Sequence, residues 1–179
     1  MGSVTIAWSV DLRGFSYVSF TATAHLMVTI EGRSVTNTII PTLLFNQRGG
    51  SNSALSDNGG TIYSQRESLN GGADATLTSQ VMCQPIAGNT ISANDAFIAQ
   101  FWIDNNQAGD RKIITGTVGY GGDTSSATAP TRTEFTCKFD NTTAQISNLD
   151  LILSTGGTGS INNPTIITVW GYNWISKLQ

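Results

Sequence analysis

An unbroken alternation of side chains from residue 18 to residue 30 constrains the fold of this chain more than any other feature. The even positions are apolar and the odd positions are mostly small and polar, including Thr21, Thr23, His25 and Thr29. A period of two residues is typical of a β-strand with one buried face. We therefore predict one strand of about 12 residues, or two strands separated by a bulge, with the even positions in the core. Glu31-Gly32-Arg33-Ser34 is predicted to form the turn that follows.

Shorter runs of the same period occur along the whole chain, and no run has the period of a helix. Residues 39–45 are apolar on both parities, which fits a strand covered on two sides, and Pro41 among them favours an edge strand or a bulge. Residues 46–60 and 70–72 have loop composition, with a short strand expected around 61–65. Counting the runs predicts nine or ten strands and an all-β, two-sheet antiparallel β-sandwich. The alternating or apolar runs are 4–10, 18–30, 39–45, 77–83, 97–103, 114–120, 135–139, 146–153 and 166–170.

The length and composition indicate one domain covering residues 1–179, with a short arm at about 172–179. A chain of 179 residues can bury a core without a metal or a disulfide. Only 12% of the residues are charged, which suits a protein that packs against other subunits. Cys83 and Cys137 each occupy an apolar position of an alternating run, which favours buried, unreactive thiols over a disulfide.

The charge distribution argues against nucleic acid and membrane as partners. The net charge is −3, and the nine basic residues are scattered rather than gathered in a stripe. No apolar run approaches the roughly 20 residues that span a bilayer, and no signal peptide is recognised. We expect the protein to be made and assembled in a cytoplasm.

The residues that could carry chemistry do not form a catalytic pattern, so we expect no enzyme activity, no catalytic residue and no cofactor. His25 is the single histidine, and no carboxylate lies near it in sequence, so a catalytic triad is not indicated. The acid pairs Asp104 with Asp110 and Glu134 with Asp140 fall at strand ends and turns, where acids are common for conformational reasons. No metal site is predicted, although the cluster of residues 104–106 leaves calcium open.

The stretch from Arg132 to Gly171 carries a resemblance to a known family. It contains Asn-Thr-Thr-Ala-Gln-Ile at 141–146, an apolar strand, a Gly/Ser loop, and Thr168-Val169-Trp170-Gly171. This pattern resembles a C-terminal β module of tailed-bacteriophage virion proteins, with Trp170 in place of the usual Tyr. Residues 161–164 depart from the Ala-Gly-Ser common in that loop. The resemblance covers about a quarter of the chain, and it implies a compact module, a jelly-roll type of sandwich and a homotrimer.

The arm is too apolar for a solvated segment, since four of its residues are large and apolar. Either the arm packs on its own domain as a final strand, or it docks outside that domain. In the second case it would bind a neighbouring subunit or the protein shell of a virus particle. The candidate contact residues are Tyr172, Trp174, Ile175 and Leu178.

Three functions fit these observations. The first is a non-enzymatic virion structural protein, a capsid decoration or cement protein that binds the major capsid protein or other virion proteins from outside the shell. The second is the receptor-binding tip of a tail fibre, which would bind host surface glycan. The third is a free-standing carbohydrate-binding sandwich. The absence of an anchoring or fibrous segment ahead of Ser3 favours the first, with the virion capsid surface as the expected location.

Overall fold

The chain is an all-β protein in every part that the structure describes. The structure is a computed structural model, and it describes residues 4–8, 15–20, 22–33, 41–45, 63–73, 75–80, 95–105, 111–121, 129–139, 145–153 and 166–172. These residues form eleven strands and no helix. The prediction of an all-β chain is therefore confirmed, with eleven strands in place of nine or ten.

The strands are numbered in chain order. They are β1 (Val4–Trp8), β2 (Phe15–Ser19), β3 (His25–Arg33), β4 (Pro41–Phe45), β5 (Tyr63–Leu69), β6 (Ala75–Gln80), β7 (Ala96–Asp104), β8 (Lys112–Tyr120), β9 (Thr131–Phe139), β10 (Asn148–Leu153) and β11 (Ile166–Tyr172).

The strands form two sheets in which all pairings are antiparallel. The larger sheet has eight strands in the order β1-β11-β3-β7-β8-β9-β5-β6, and the smaller sheet has the order β2-β10-β4. The strand β4 is an edge of the smaller sheet, which agrees with the position predicted for Pro41 at its start.

The core lies against one face of the eight-stranded sheet. Along β7 every second residue is buried, from Phe97 to Ile103, and the residues between them are exposed. The strands β8 and β9 alternate in the same way, and Cys137 of β9 is a buried free thiol, as predicted. A single hydrophobic cluster joins this face to Leu149 and Leu151 of the smaller sheet. Both sheets therefore contribute to one core.

Of the two alternatives predicted for residues 18–30, one long strand is wrong. The chain forms two strands, β2 and β3, which belong to different sheets and are not the two halves of one bulged strand. Phe20, just after β2, and Leu26 of β3 are buried in the same hydrophobic cluster, as their even positions predict. The sequence therefore shows no change of period where the chain changes sheets.

The predicted turn at residues 31–34 is also wrong, because β3 continues to Arg33. Gly32 pairs with Phe97 of β7, and Arg33 pairs with Ala96. A Cβ atom added to Gly32 would lie 2.6 Å from Cζ of Phe97, closer than real atoms pack. Gly32 thus makes room for the ring of Phe97 inside a continuous strand, and it does not turn the chain.

A tight hairpin joins β5 to β6 where loop composition was predicted. Asn70 and Gly71 have φ angles of 50° and 75°, and the amide of Gly72 donates a hydrogen bond to the carbonyl of Leu69 at 2.9 Å. Two positive φ angles at an Asn-Gly pair are typical of a turn that matches the twist of a hairpin. The side chain of Asn70 also accepts a hydrogen bond from the amide of Arg132 at 2.8 Å, which ties this turn to the start of β9.

The strands of the 132–171 stretch do not form a compact module of their own. The strand β9 pairs with β8 and β5, β10 pairs with β2 and β4, and β11 pairs with β1 and β3. Each of the three therefore lies among strands from other parts of the chain. The stretch contributes to the whole fold and is not a separable unit.

Candidate functional site

The face of the eight-stranded sheet that points away from the core carries the surface features that could bind a partner. We call it the outer face. The strand register sets its residues in rows that cross the sheet. One row runs Met27, Trp102, Thr115, Thr136 and Arg66, and the next row runs Thr29, Gln100, Thr117, Glu134 and Ser68. Adjacent rows lie about 7 Å apart along the strands.

A groove of about 470 Å³ lies between these two rows, and we call it the Trp102 groove. Gly116 of β8 lies in its floor, where β7 passes very close: an added Cβ would lie 2.6 Å from Cα of Phe101. Trp102 lies at one end and is 48% exposed. The groove is lined by Arg66, Ser68, Trp102, Thr115, Gly116, Thr117, Glu134, Phe135 and Thr136.

The hydroxyl side chains of the lining and the opposite charges of Arg66 and Glu134 give the Trp102 groove its polar character. The hydroxyls of Thr115 and Thr136 lie 3.1 Å apart and share a hydrogen bond, and Thr115 also donates to the carbonyl of Phe135 at 3.3 Å. Arg132 forms an ion pair of 3.1 Å with Glu134. More than half of each side chain in that pair is exposed, so the pair adds little stability. The carboxylate of Glu134 is nevertheless held beside the groove.

A second groove, of about 460 Å³, lies at the other end of β7, and we call it the Ile98 groove. Its lining is mostly apolar or glycine: Glu31, Gly32, Ala96, Phe97, Ile98, Gly119, Tyr120, Gly121 and Pro130. Ile98 is 53% exposed, the highest value among the large exposed hydrophobic residues that the structure describes. Those residues are Leu69, Ile98, Trp102 and Ile113, and the last three project from β7 and β8 on the outer face.

His25 lies on the outer face, as the alternation predicts, but it has a carboxylate beside it that the sequence did not reveal. Asp104 of β7 pairs with His25 of β3, and its Oδ1 lies 3.8 Å from the Nδ1 of His25. The neighbours of this pair in the same row are Tyr172, Ile113 and Lys138. Among the described residues of this row the nearest serine, Ser64, lies beyond Ile113 and Lys138, so the row does not bring a serine nucleophile to the histidine.

The predicted acid pairs are not brought together by the described part of the structure. Asp104 and Glu134 lie on β7 and β9, with β8 between them. Their predicted partners, Asp110 and Asp140, lie outside the described residues. Across the described ranges no group of three or more His, Cys, Asp or Glu residues could hold a metal ion.

Asn105 uses its side-chain amide to hold neighbouring segments together, and Asn106 of the same cluster lies outside the described residues. Asn105 is fully buried, and its Nδ2 donates hydrogen bonds to the carbonyls of Thr23 at 2.9 Å and Ile146 at 3.0 Å. Its Oδ1 accepts from the amide of Ile146 at 2.6 Å. Lys112, at the start of β8, is also fully buried and engages a partner, as a buried charge requires.

The structure describes only the beginning of the predicted arm. The strand β11 extends to Tyr172, whose backbone pairs with His25. Trp174, Ile175 and Leu178 lie outside the described residues, as does Cys83. No helix in the described residues is long and apolar enough to cross a membrane.

Comparisons with known proteins identify no relative of this chain. No protein-family model, no curated protein and no solved structure matches it.

Both grooves were missed at the level of sequence, and the signals that could have revealed them are specific. Ile98 and Trp102 are large apolar residues at the even positions of β7, the parity that the alternation assigns to solvent. Gly119 of the neighbouring strand pairs with Ile98 and leaves a gap among the outer-face side chains there. A large exposed apolar residue beside a glycine on the same face of the next strand indicates a depression, once the pairing of the strands is known.

Proposed function

We propose that this chain is a non-enzymatic structural protein of a bacteriophage particle, a decoration or cement protein that stabilises the capsid from outside as a homotrimer. The observation that carries the proposal is the Ile98 groove, a mostly apolar depression whose lining includes a half-exposed isoleucine. An exposed apolar depression of this kind favours burial against a partner. The resemblance of residues 132–171 to phage virion proteins and the low charge of the chain also support it.

The occupant of the Ile98 groove is the arm of a sister subunit. The arm supplies Trp174, Ile175 and Leu178 as apolar side chains, and Lys177 as a cation for Glu31 in the groove lining. The groove lies at the Glu31 end of β3, whereas β11 pairs its Tyr172 with His25 at the other end of β3. Glu31 and His25 are six residues apart along β3, so the two ends of the strand are separated by about 20 Å.

An arm that leaves one subunit and enters the groove of the next makes a heterologous contact, and three such contacts close a ring. The outer surface of the ring would then hold neighbouring capsomers together. In this proposal the two sheets form a β-sandwich of the jelly-roll type, which is the architecture that the phage resemblance implies.

One substitution and one truncation test the proposal, and a second substitution serves as the control. Ile98→Asp places a charge in the groove, and deletion of residues 173–179 removes the arm. Both should convert the trimer to a monomer, measured by light scattering after size exclusion, and both should reduce co-sedimentation with phage capsids. Ile113→Asp is the matched control, since Ile113 is also exposed on the outer face but does not line the Ile98 groove. The trimer would be overturned if the wild-type protein were a monomer, or if Ile98→Asp and the truncated protein both kept the wild-type mass.

A position at the tip of a tail fibre is the second candidate, and the Trp102 groove favours it. Host recognition needs a surface that binds glycan, and that groove combines an exposed aromatic with polar side chains. Gold-labelled antibody against this chain, applied to intact particles, separates the two locations. Label over the capsid supports decoration, and label confined to the end of the tail supports the receptor-binding role.

A further inference from the structure

We propose that the Trp102 groove is a binding site for a neutral oligosaccharide, with Trp102 as the platform on which one sugar ring stacks. The inference rests on the chemistry of the groove, and it goes beyond capsid decoration. It holds wherever the protein lies on a particle, and it would give the tail-tip location its ligand-binding residues.

The shape of the groove fits a short, extended sugar chain. The groove follows the two rows of side chains from Trp102 on β7, across β8 and β9, to Arg66 on β5. Three strand spacings separate those ends, a length of about 14 Å, which holds roughly two or three pyranose rings. The groove is open to solvent along this length, so a chain can lie in it without being enclosed at its ends.

The aromatic end of the groove matches the apolar face of a sugar. A pyranose ring presents several C–H groups on one face, and these pack well on the face of an indole. Trp102 is 48% exposed although it is large and lies in the middle of a sheet. A stacked sugar would cover part of this exposed apolar area while leaving the hydroxyl groups at the ring edge free to bond.

The rest of the groove supplies hydrogen-bonding groups for those hydroxyls. Thr117 offers a hydroxyl that both donates and accepts, and Glu134 offers acceptors. The hydroxyl of Ser68 donates its hydrogen to the carbonyl of Gly72 at 2.9 Å and so offers an acceptor, and Arg66 carries N–H donors in a planar arrangement. A mixture of donors and acceptors along the wall of a groove is what a polyhydroxylated ligand requires.

The charge of the groove selects a neutral sugar over an acidic one. Arg66 and Glu134 contribute opposite charges to the lining, and Arg132 pairs with Glu134 just outside it. A sialylated or sulfated glycan would bring a carboxylate or sulfate near Glu134, and that repulsion would offset the attraction of Arg66. The structure therefore favours uncharged hexoses and N-acetylhexosamines.

The test is an array of neutral oligosaccharides built from glucose, galactose, mannose and N-acetylglucosamine, printed beside sialylated and sulfated glycans. The full-length protein should bind one or more neutral glycans and no acidic one. Isothermal titration with the neutral glycan of highest signal then measures three variants. Trp102→Ala should weaken binding at least tenfold, Trp102→Phe should retain part of it, and Ile113→Ala should bind as the wild type does.

Three results would overturn the inference: a wild-type protein that binds no neutral glycan, preferential binding of acidic glycans, or a Trp102→Ala variant of unchanged affinity. If the wild type binds no glycan and Trp102→Ala lowers the oligomer mass, the groove is a protein interface instead. Each variant is first shown to melt like the wild type, so that lost binding is not lost folding. Because Ile98→Asp tests the trimer separately, failure of the sugar site and failure of the trimer give different results.

Discussion

The side chain of Asn105 and the backbone of Ile146 bind one another through two hydrogen bonds, in the way that two strand residues pair. Oδ1 accepts from the Ile146 amide at 2.6 Å, and Nδ2 donates to the Ile146 carbonyl at 3.0 Å. The same Nδ2 reaches the carbonyl of Thr23. One amide therefore fixes the segment before β3 and the segment before β10 to the end of β7.

Replacing Asn105 by alanine should lower the free energy of unfolding by about 3–5 kcal/mol, because it leaves one amide and one carbonyl of Ile146 buried without a partner. Asn105→Asp should also be destabilising, since a carboxylate cannot donate to the two carbonyls. Gln100→Ala, on the exposed side of the same strand, is the control and should cost less than about 1 kcal/mol. Urea denaturation measures all three. Equal stability of the two alanine variants would contradict the role of Asn105.

Two glycines on β8 should respond differently to the same substitution. Gly116→Ala should destabilise the protein by more than about 2 kcal/mol, because the new methyl would meet the backbone of Gln100 and Phe101, which cannot move aside independently. Gly119→Ala should change stability by less than about 1 kcal/mol, since its methyl would meet only Cγ2 of Ile98 at 3.8 Å. Thermal melts of both variants check the difference, and a larger loss for Gly119→Ala would be inconsistent with the packing described.

Phe20 should be a core residue although it lies between strands. It is 8% exposed and belongs to the main hydrophobic cluster, and its amide donates to the carbonyl of Ser147 at 2.9 Å. Phe20→Ala should cost about 3–5 kcal/mol through the cavity it leaves. Thr29→Ala, on the outer face of β3, should cost less than about 1 kcal/mol. The reverse order in denaturant melts would mean that the register of this region is shifted by one residue.

The contact between His25 and Asp104 should contribute little to stability. The two atoms are 3.8 Å apart, and 55% of the Asp104 side chain is exposed, so water screens the interaction. A double-mutant cycle with His25→Ala and Asp104→Ala should give a coupling free energy of no more than about 1 kcal/mol. A coupling well above that value would show that the pair is shielded from solvent more than its exposure indicates.

The central strands of the large sheet were predictable because their sequences alternate strictly. The positions predicted to be buried in β7, β8 and β9 are buried, with Phe101 and Cys137 at zero exposure and Gly116, which has no side chain, as the half-buried exception. Alternation of apolar and polar residues indicates that one face of a strand is buried. It works for these three strands because one face of each packs on the core along the whole length of the strand.

The parts that could not be predicted depend on which strands are neighbours. The contacts of His25 with Asp104 and of Asn105 with Ile146 join residues far apart in sequence, and a single sequence contains no record of such pairings. The crossing between β2 and β3 was hidden for a different reason. Phe20 before the crossing and Leu26 after it are buried in one core, so a change of sheet left the period of the sequence intact.

The position of β11 between β1 and β3 determines when this protein can fold during its synthesis. The strand β3 ends at Arg33 and β11 begins at Ile166, so a ribosome must make all of the intervening strands before β3 acquires its second neighbour. Until then β1 has no partner in the large sheet, and one edge of β3 is open to pairing with other chains. Nascent chains that stop before residue 166 should therefore depend on chaperones and aggregate readily, whereas the released protein closes that edge by itself.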